Sequence, residues 1–290
     1  MADYVIFTDS ACDISKEILS SWGIKSVPLT FRLSGDDKIY CDGEVDIKAF
    51  YYKMRDGLVP KTAAVNPKDF INAFEKELIL GRDVIYIGFS SGLSATYNSA
   101  IIARDILVEK YPERRIIALD SLCASAGLGL LLYMAADMAQ SGAMIDEVLH
   151  FAENNRLKIC HLFTVEDLVY LKRGGRISPA VAIVGNMLGI KPVLHVDNEG
   201  HLINISKVRG RRLAISTLAD SYVRARKSTT SQDTVFISHA DCREDAELLA
   251  AMIKERTAVN VFLITSVGAV IGAHAGPGTL ALFFVGEERL

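Results

Sequence analysis

The chain has 290 residues, half of them hydrophobic, and a formal charge of −3. That length predicts two domains or one large one. That charge excludes a global pull toward nucleic acid or an anionic membrane.

Tyr4–Thr8 reads as a strand, Asp9–Asp13 as a loop and Ile14–Trp22 as a short helix. Lys25–Thr30 reads as a second strand. Lys68–Leu80 sets Phe70, Ile71, Phe74 and Leu78 at helical spacing, behind Asn66 as cap and Pro67 as first helical residue. Val84–Phe89 and Arg115–Leu119 read as strands flanking a helix over Asn98–Lys110. This βαβ rhythm predicts a parallel sheet covered by helices on both faces. The loops at Asp9–Ser10, Ser90–Ser94 and Asp120–Ser121 all follow strands. They should gather at one edge, where such sheets bind ligands. Met144–Arg156 reads as a helix leaving this unit. Beyond it, Pro192–Val196 and His201–Ile205 read as a β-hairpin around Asp197–Gly200. Leu213–Arg226 reads as a helix, and Thr234–Ser238, Asn260–Thr265 and Thr279–Val285 as strands. The expected fold class is α/β in two domains: an N-terminal parallel-sheet α/β domain over residues 1–160 and a C-terminal mixed α/β domain over 161–290, with a ligand site between them.

Five cysteines (Cys12, Cys41, Cys123, Cys160, Cys242) are scattered without C-x-x-C spacing, as expected of buried thiols in a reducing compartment. The start Met1-Ala2-Asp3-Tyr4 lacks the pattern of a signal peptide, and the apolar run Gly127–Leu132 is too short to span a bilayer. A cytoplasmic protein without stable membrane insertion is the expectation.

The most informative motif is the turn Ser90-Ser91-Gly92-Leu93-Ser94-Ala95-Thr96-Tyr97. A strand-end turn opening into a helix aims N–H groups and small hydroxyls at a crevice and suits an anionic head group. It equally suits an ordinary Ser-capped helix. In Lys61-Thr62-Ala63-Ala64-Val65-Asn66-Pro67, Thr62 is not needed for the cap, so its hydroxyl is free for another role. The glycine pair in Leu171-Lys172-Arg173-Gly174-Gly175-Arg176-Ile177 permits a tight turn or a close approach to a ligand. Its arginines either hold an anion or lie in solvent. His274, before the turn Gly276-Pro277-Gly278, can donate to a carboxylate or phosphate, although a lone histidine is more often structural. Lys207, Arg209, Arg211 and Arg212 form a basic cluster, either a solvated face or a dock for an acidic partner.

A Ser–His acyl or small-molecule hydrolase built on Ser94 and His274 is the rival reading. The G-x-S-x-G elbow is missing, and no acidic residue adjoins His274 in sequence. There is no P-loop, and Gly127-Leu128-Gly129 lacks the third glycine of a dinucleotide fingerprint. Cys160-His161 and His239-Ala240-Asp241-Cys242 lack paired zinc spacing. No cofactor and no metal are expected.

Six pieces in order resemble the DegV family of bacterial fatty-acid-binding proteins. They are Thr8-Asp9-Ser10-Ala11-Cys12-Asp13, Lys61-Thr62, Ser90-Ser91-Gly92-Leu93-Ser94, Asp120-Ser121, Leu171–Ile177 and His274–Gly278, and together they span nearly the whole chain. Two departures stand out. Ala63-Ala64 replace the Ser-Gln that often follows the threonine, and Ala95 stands where glycine is usual. The resemblance implies a two-domain fold with a long-chain fatty acid between the domains. It implies that Thr62 and Ser94 hold the carboxylate with His274 nearby; Gly92, Arg173 and Arg176 complete the expected binding set. It further implies a carrier, not an enzyme, that presents the fatty acid to a separate ATP-dependent fatty acid kinase for acyl-phosphate formation in phospholipid synthesis. The cluster Lys207, Arg209, Arg211 and Arg212 is then the expected dock. The chemistry agrees, because a carboxylate only accepts hydrogen bonds and hydroxyls, turn N–H groups and a histidine donate them. Pro179–Ile190 is the expected tunnel wall, and each buried methylene contributes about 0.8 kcal/mol.

Overall fold

The computed structural model describes residues 3–177, 189–226, 234–257, 259 and 261–289. Strands β1 (Tyr4–Asp9), β2 (Ile24–Val27), β6 (Asp83–Gly88) and β7 (Ile116–Asp120) form an all-parallel sheet in the order β2-β1-β6-β7. β1 and β6 are buried at every position after the first. Helices cover both faces, so these strands read as continuous apolar runs without alternation.

The expected strand Lys25–Thr30 divides at Pro28-Leu29. Proline has no N–H to give a ladder, and the chain leaves the first sheet there. β3 (Thr30–Arg32), β4 (Tyr40–Cys41) and β5 (Lys61–Ala63) form a small antiparallel sheet in the order β4-β3-β5, in which Thr62 lies opposite Phe31. The helix expected over Ile14–Trp22 spans Lys16–Ser21. Asp13 takes a left-handed conformation (φ 52°), and the Ser15 hydroxyl caps the Ile18 N–H. Asn66 caps the Pro67–Ile79 helix through the Asp69 N–H at 3.1 Å.

A six-stranded sheet follows. It contains β8 (Ile159–Thr164), β9 (Ile190–Val196), β10 (Leu202–Arg209), β11 (Val235–His239), β12 (Val261–Ser266) and β13 (Leu280–Val285), in the order β10-β9-β8-β13-β11-β12. Only the β11–β12 pair is parallel. The hairpin turn is tied by the Asp197 carboxylate, which accepts from the Glu199 and His201 N–H groups. Its second strand runs four residues past the expected end at Ile205, with a bulge between Asn204 and Ser206. β8 was not foreseen; it is buried throughout and pairs with β13 and β9.

The Ser125–Gln140 helix joins the two sheets. It packs on β8, β11 and β13 and also meets the Ser10–Cys12 turn. A helix apolar on every side is buried on every side. This explains why Gly127–Leu132 is unbroken by charge. Residues of the six-stranded sheet then alternate with period two. Phe163, Leu194, Phe236 and Phe283 join the core shared with the parallel sheet. Leu162, Val193, Ile237 and Leu282 join a second core under the Arg211–Ala225 and Arg243–Arg256 helices. The result is a two-domain α/β architecture. Among the described residues no helix is long and apolar enough to cross a membrane.

Candidate functional site

The three strand-end loops of the parallel sheet do gather at its carboxyl edge. The buried Asp9 carboxylate accepts from the Phe89 N–H at 2.9 Å, the Tyr86 hydroxyl at 2.6 Å and the Ala11 N–H at 3.1 Å. Burial raises its pKa against those three bonds. Asp120 accepts from the Ser91 and Leu122 N–H groups. The Ser90 hydroxyl donates to the Gly200 carbonyl at 2.9 Å and so ties this edge to the hairpin of the other sheet.

Beside this edge lies a cavity of about 220 Å³. Its walls come from both halves of the chain: Phe89 and Leu93 from the first, Phe163, Leu202, Ile271 and Phe283 from the second. Thr62, Ser94, Arg176 and His274 also line it. Thr62 Oγ1 is 2.7 Å from His274 Nε2, although the two lie 212 residues apart. The Ser94 and Thr96 hydroxyls are 2.9 Å apart, and the Thr96 N–H donates to Ser94 Oγ at 3.2 Å. Ser94 therefore accepts from the first residue of the Thr96–Lys110 helix, whose cap position is Ala95 without a side-chain bond, and it also lines the cavity.

His274 sits in the last turn of the short Ala269–Ala275 helix. Burial first, and the Arg176 charge second, lower its pKa to about 4, so the ring is neutral at pH 7. Its Nδ1 is buried and has no hydrogen-bond partner. A Cβ added to Gly174 would sit 2.1 Å from that nitrogen, so only glycine fits beside the ring. Arg176 donates through Nε to the Leu93 carbonyl at 3.1 Å and through Nη1 to the Gly174 carbonyl at 2.5 Å. It thus joins the hydroxyl-rich turn to the glycine pair, and burial lowers its own pKa.

The DegV family model, described as an uncharacterised protein of the DegV family, matches residues 3–287. The chain belongs to the DegV family. It is 44% identical over 290 residues to a DegV domain-containing protein of Clostridium perfringens, covering 100% of this chain and 99% of that one. Among solved structures it is similar to a DegV lipid-binding protein from Thermotoga maritima, with 30% identity, a TM-score of 0.85 and 100% of both chains covered. It is also similar to a fatty-acid-binding DegV family protein from Thermus thermophilus, with 28% identity, a TM-score of 0.87 and coverage of 98% of this chain and 99% of that one.

In this DegV chain the remaining site residues fall elsewhere. Gly92 packs against the hairpin turn, where a Cβ would come within 2.9 Å of the Glu199 carbonyl oxygen; it does not line the cavity. Arg173 is exposed, with its guanidinium 5.8 Å from the Tyr170 ring centre. Lys207, Arg209 and Arg212 are exposed, but Arg211 is half-buried. It pairs with Asp245 at 2.9 Å and donates to Cys242 Sγ at 3.5 Å. Most of the wall expected over Pro179–Ile190 lies outside the described residues. Among the described residues no group of three His, Cys, Asp or Glu side chains could hold a metal ion.

Sequence reasoning missed the inner lining. His161 is buried at the cavity, donates through Nδ1 to the Ile159 carbonyl and accepts from the Ala124 N–H through Nε2. Burial holds its pKa well below the usual value. The unbroken apolar run of Thr279–Val285 was legible as a strand. Which of its side chains reach the cavity depends on its pairing with the unforeseen β8.

Proposed function

We propose that the protein binds a long-chain fatty acid between the units 1–160 and 161–290, with the carboxylate at Thr62, Ser94 and Arg176, beside His274, and the acyl chain in the apolar cavity. The observation that carries this reading is the convergence of those four side chains on one cavity whose other walls are largely apolar. Such a cavity takes an amphipathic acid, because the tail gains about 0.8 kcal/mol per buried methylene and the head finds donors. The DegV relatives named for lipid and fatty acid binding support it. We infer further that the protein is a cytoplasmic carrier whose acid is offered to a separate ATP-dependent kinase. The head-group side chains support presentation: Thr62, Ser94, Arg176 and His274 are all only partly buried, while the tail-lining residues Leu93, Phe163 and Phe283 are buried.

Nothing in the site favours a hydrolase. His274 Nε2 meets Thr62 rather than Ser94, and Nδ1 has no carboxylate to orient it. Organic extraction of the purified protein with mass spectrometry tests the main reading. The expected result is a long-chain fatty acid of about C14–C18, in which each buried methylene adds about 0.8 kcal/mol. A stoichiometric polar metabolite without lipid overturns it.

A further inference from the structure

The Ala269–Ala275 helix has only seven residues, and its N-cap, Gly268, supplies no side-chain bond. A helix that short does not hold itself in water, yet it carries His274. Its position is set from outside, by residues of the first half of the chain. Asp42 follows β4 and is fixed by its own N–H to the Leu29 carbonyl at 2.9 Å. Its Oδ1 accepts from the Ala269 N–H at 2.9 Å and from the Val270 N–H at 3.4 Å. Asp13 Oδ1 accepts from the Gly268 N–H at 2.8 Å, and the Tyr51 hydroxyl donates to the Val267 carbonyl at 2.8 Å. At the other end of the helix, His274 meets Thr62 on β5. β4 and β5 are the two edges of the same three-stranded sheet. One small sheet thus grips the helix at both ends.

We propose that Asp42 is a positioning residue for the head-group site: its carboxylate anchors the N-terminus of the Ala269–Ala275 helix and so sets where His274 meets Thr62. This rests on the proposed function only for the identity of the ligand. An ionised acceptor makes bonds roughly twice as strong as a neutral one, so the grip depends on the charge of Asp42. Asp42 is buried, and burial raises its pKa to about 6. The Asp9 charge adds to that rise, the bonds from the Ala269 and Val270 N–H groups oppose it, and Oδ2 is buried without a hydrogen-bond partner among the described residues. Around it stand Asp13, whose pKa burial, aided by the charges of Asp42 and Asp9, also raises, and Cys12 and Tyr51, which burial keeps protonated. Lys16 and Glu17 line the adjoining cleft of about 410 Å³ together with Asp13 and Asp42, which gives protons a route.

The sign separates this role from a plain field effect. Removing a negative charge near the site would by itself favour an anionic ligand. Loss of positioning weakens binding. The experiment follows the Ala269 and Val270 amide signals and the His274 ring signals by NMR in the lipid-free wild-type protein, from about pH 7.5 to about pH 5. The expected result is that all three shift together with a midpoint near 6, and that Asp42→Asn abolishes the step. At about pH 7.5, Asp42→Asn should bind oleate about three- to tenfold more weakly than wild type, with a gap that narrows toward pH 5.5. Amides that do not titrate, or a His274 that ignores them, overturn the proposal even if Asp42→Asn fails to fold. So does an Asp42→Asn protein that binds oleate as tightly as wild type or more so. Failure of the fatty-acid reading would show as no oleate binding by either protein, and the lipid-free titration would still decide the role of Asp42.

Discussion

Thr62→Val tests the head-group site most directly, because valine keeps the β-branched shape and removes only the hydroxyl. In the free protein Thr62 Oγ1 lies 2.7 Å from His274 Nε2. The His274 ring is neutral at pH 7, and its Nδ1 is buried without a partner. Hydrogen-bond satisfaction then assigns the ring proton to Nε2. Nε2–H donates to Thr62, and the threonine's own O–H is left to donate to a bound carboxylate. Valine removes both bonds. The bond to an ionised acceptor is worth about 1.5–3 kcal/mol, which is about 10- to 150-fold in Kd. The neutral bond to His274 is worth about 1 kcal/mol of stability, a shift of a few degrees in Tm at most for a chain of this size. The assay is displacement of a fluorescent fatty acid from delipidated protein, with a thermal melt in parallel. A Kd within twofold of wild type, at unchanged Tm, would refute the reasoning and place the head group elsewhere.

A serine-reactive fluorophosphonate should leave Ser94 unlabelled, because no base adjoins its hydroxyl and His274 Nε2 meets Thr62 instead; a stable adduct lost in His274→Ala would make the protein a hydrolase. Lys207→Glu with Arg209→Glu and Arg212→Glu should slow acyl-phosphate formation with a cognate kinase at low salt while leaving fatty-acid binding intact; a wild-type rate in that assay removes this surface as the dock. Arg211→Glu is a different experiment, since it breaks the pair with Asp245, and its expected readout is a lower Tm. His274 has a pKa of about 4 in the folded protein against the usual histidine value of 6.5, so the unfolded chain binds more protons between those values and the folded state loses stability as pH falls from 6.5 to 4, by up to about 3 kcal/mol. Denaturant melts of His274→Gln across that range should therefore decline less steeply than wild type; parallel curves would contradict the neutral, buried ring.

The βαβ half of the fold was legible because strands buried on both faces appear as unbroken apolar runs, and Val84–Phe89 is such a run. Pro28 marked the end of the second strand in plain sight, and the missing N–H predicts the break that the structure shows. The Ser125–Gln140 helix was not legible as a helix. Its apolar residues lie on all sides, so they carry no 3.6-residue period to detect. β8 was hidden for a related reason: Cys160 and His161 are not among the β-branched and aromatic residues that mark a strand, and long-range pairing with β13 and β9 makes them part of one. At the cavity, Thr62, Ser94 and His274 were legible as candidates because their motifs set hydroxyls and a histidine beside turns, although the same residue types also serve caps and turns. Arg173 and Arg176 could not be told apart by composition. What separates them is that Arg176 finds the Leu93 and Gly174 carbonyls, while the exposed Arg173 ends over the half-buried Tyr170 ring.

That tethering of Arg176 decides how an anion would be received. A salt bridge formed only on binding must order a long side chain, at roughly 0.5–1.5 kcal/mol for each one immobilised. Arg176 is ordered beforehand by two carbonyls, one from the hydroxyl-rich turn and one from the glycine pair. Its charge also helps to keep His274 neutral. A neutral His274 donates from one nitrogen only, so the ring orients Thr62 instead of competing with it for the ligand. Arg176 would therefore offer a carboxylate an already ordered cation, and its charge adds to the burial that keeps His274 neutral. Arg176→Lys keeps the charge but gives up the planar fork that reaches both carbonyls. It should therefore weaken fatty-acid binding despite unchanged net charge. Equal affinity of the lysine variant in the displacement assay would show that charge alone, without the tether, is what the site requires.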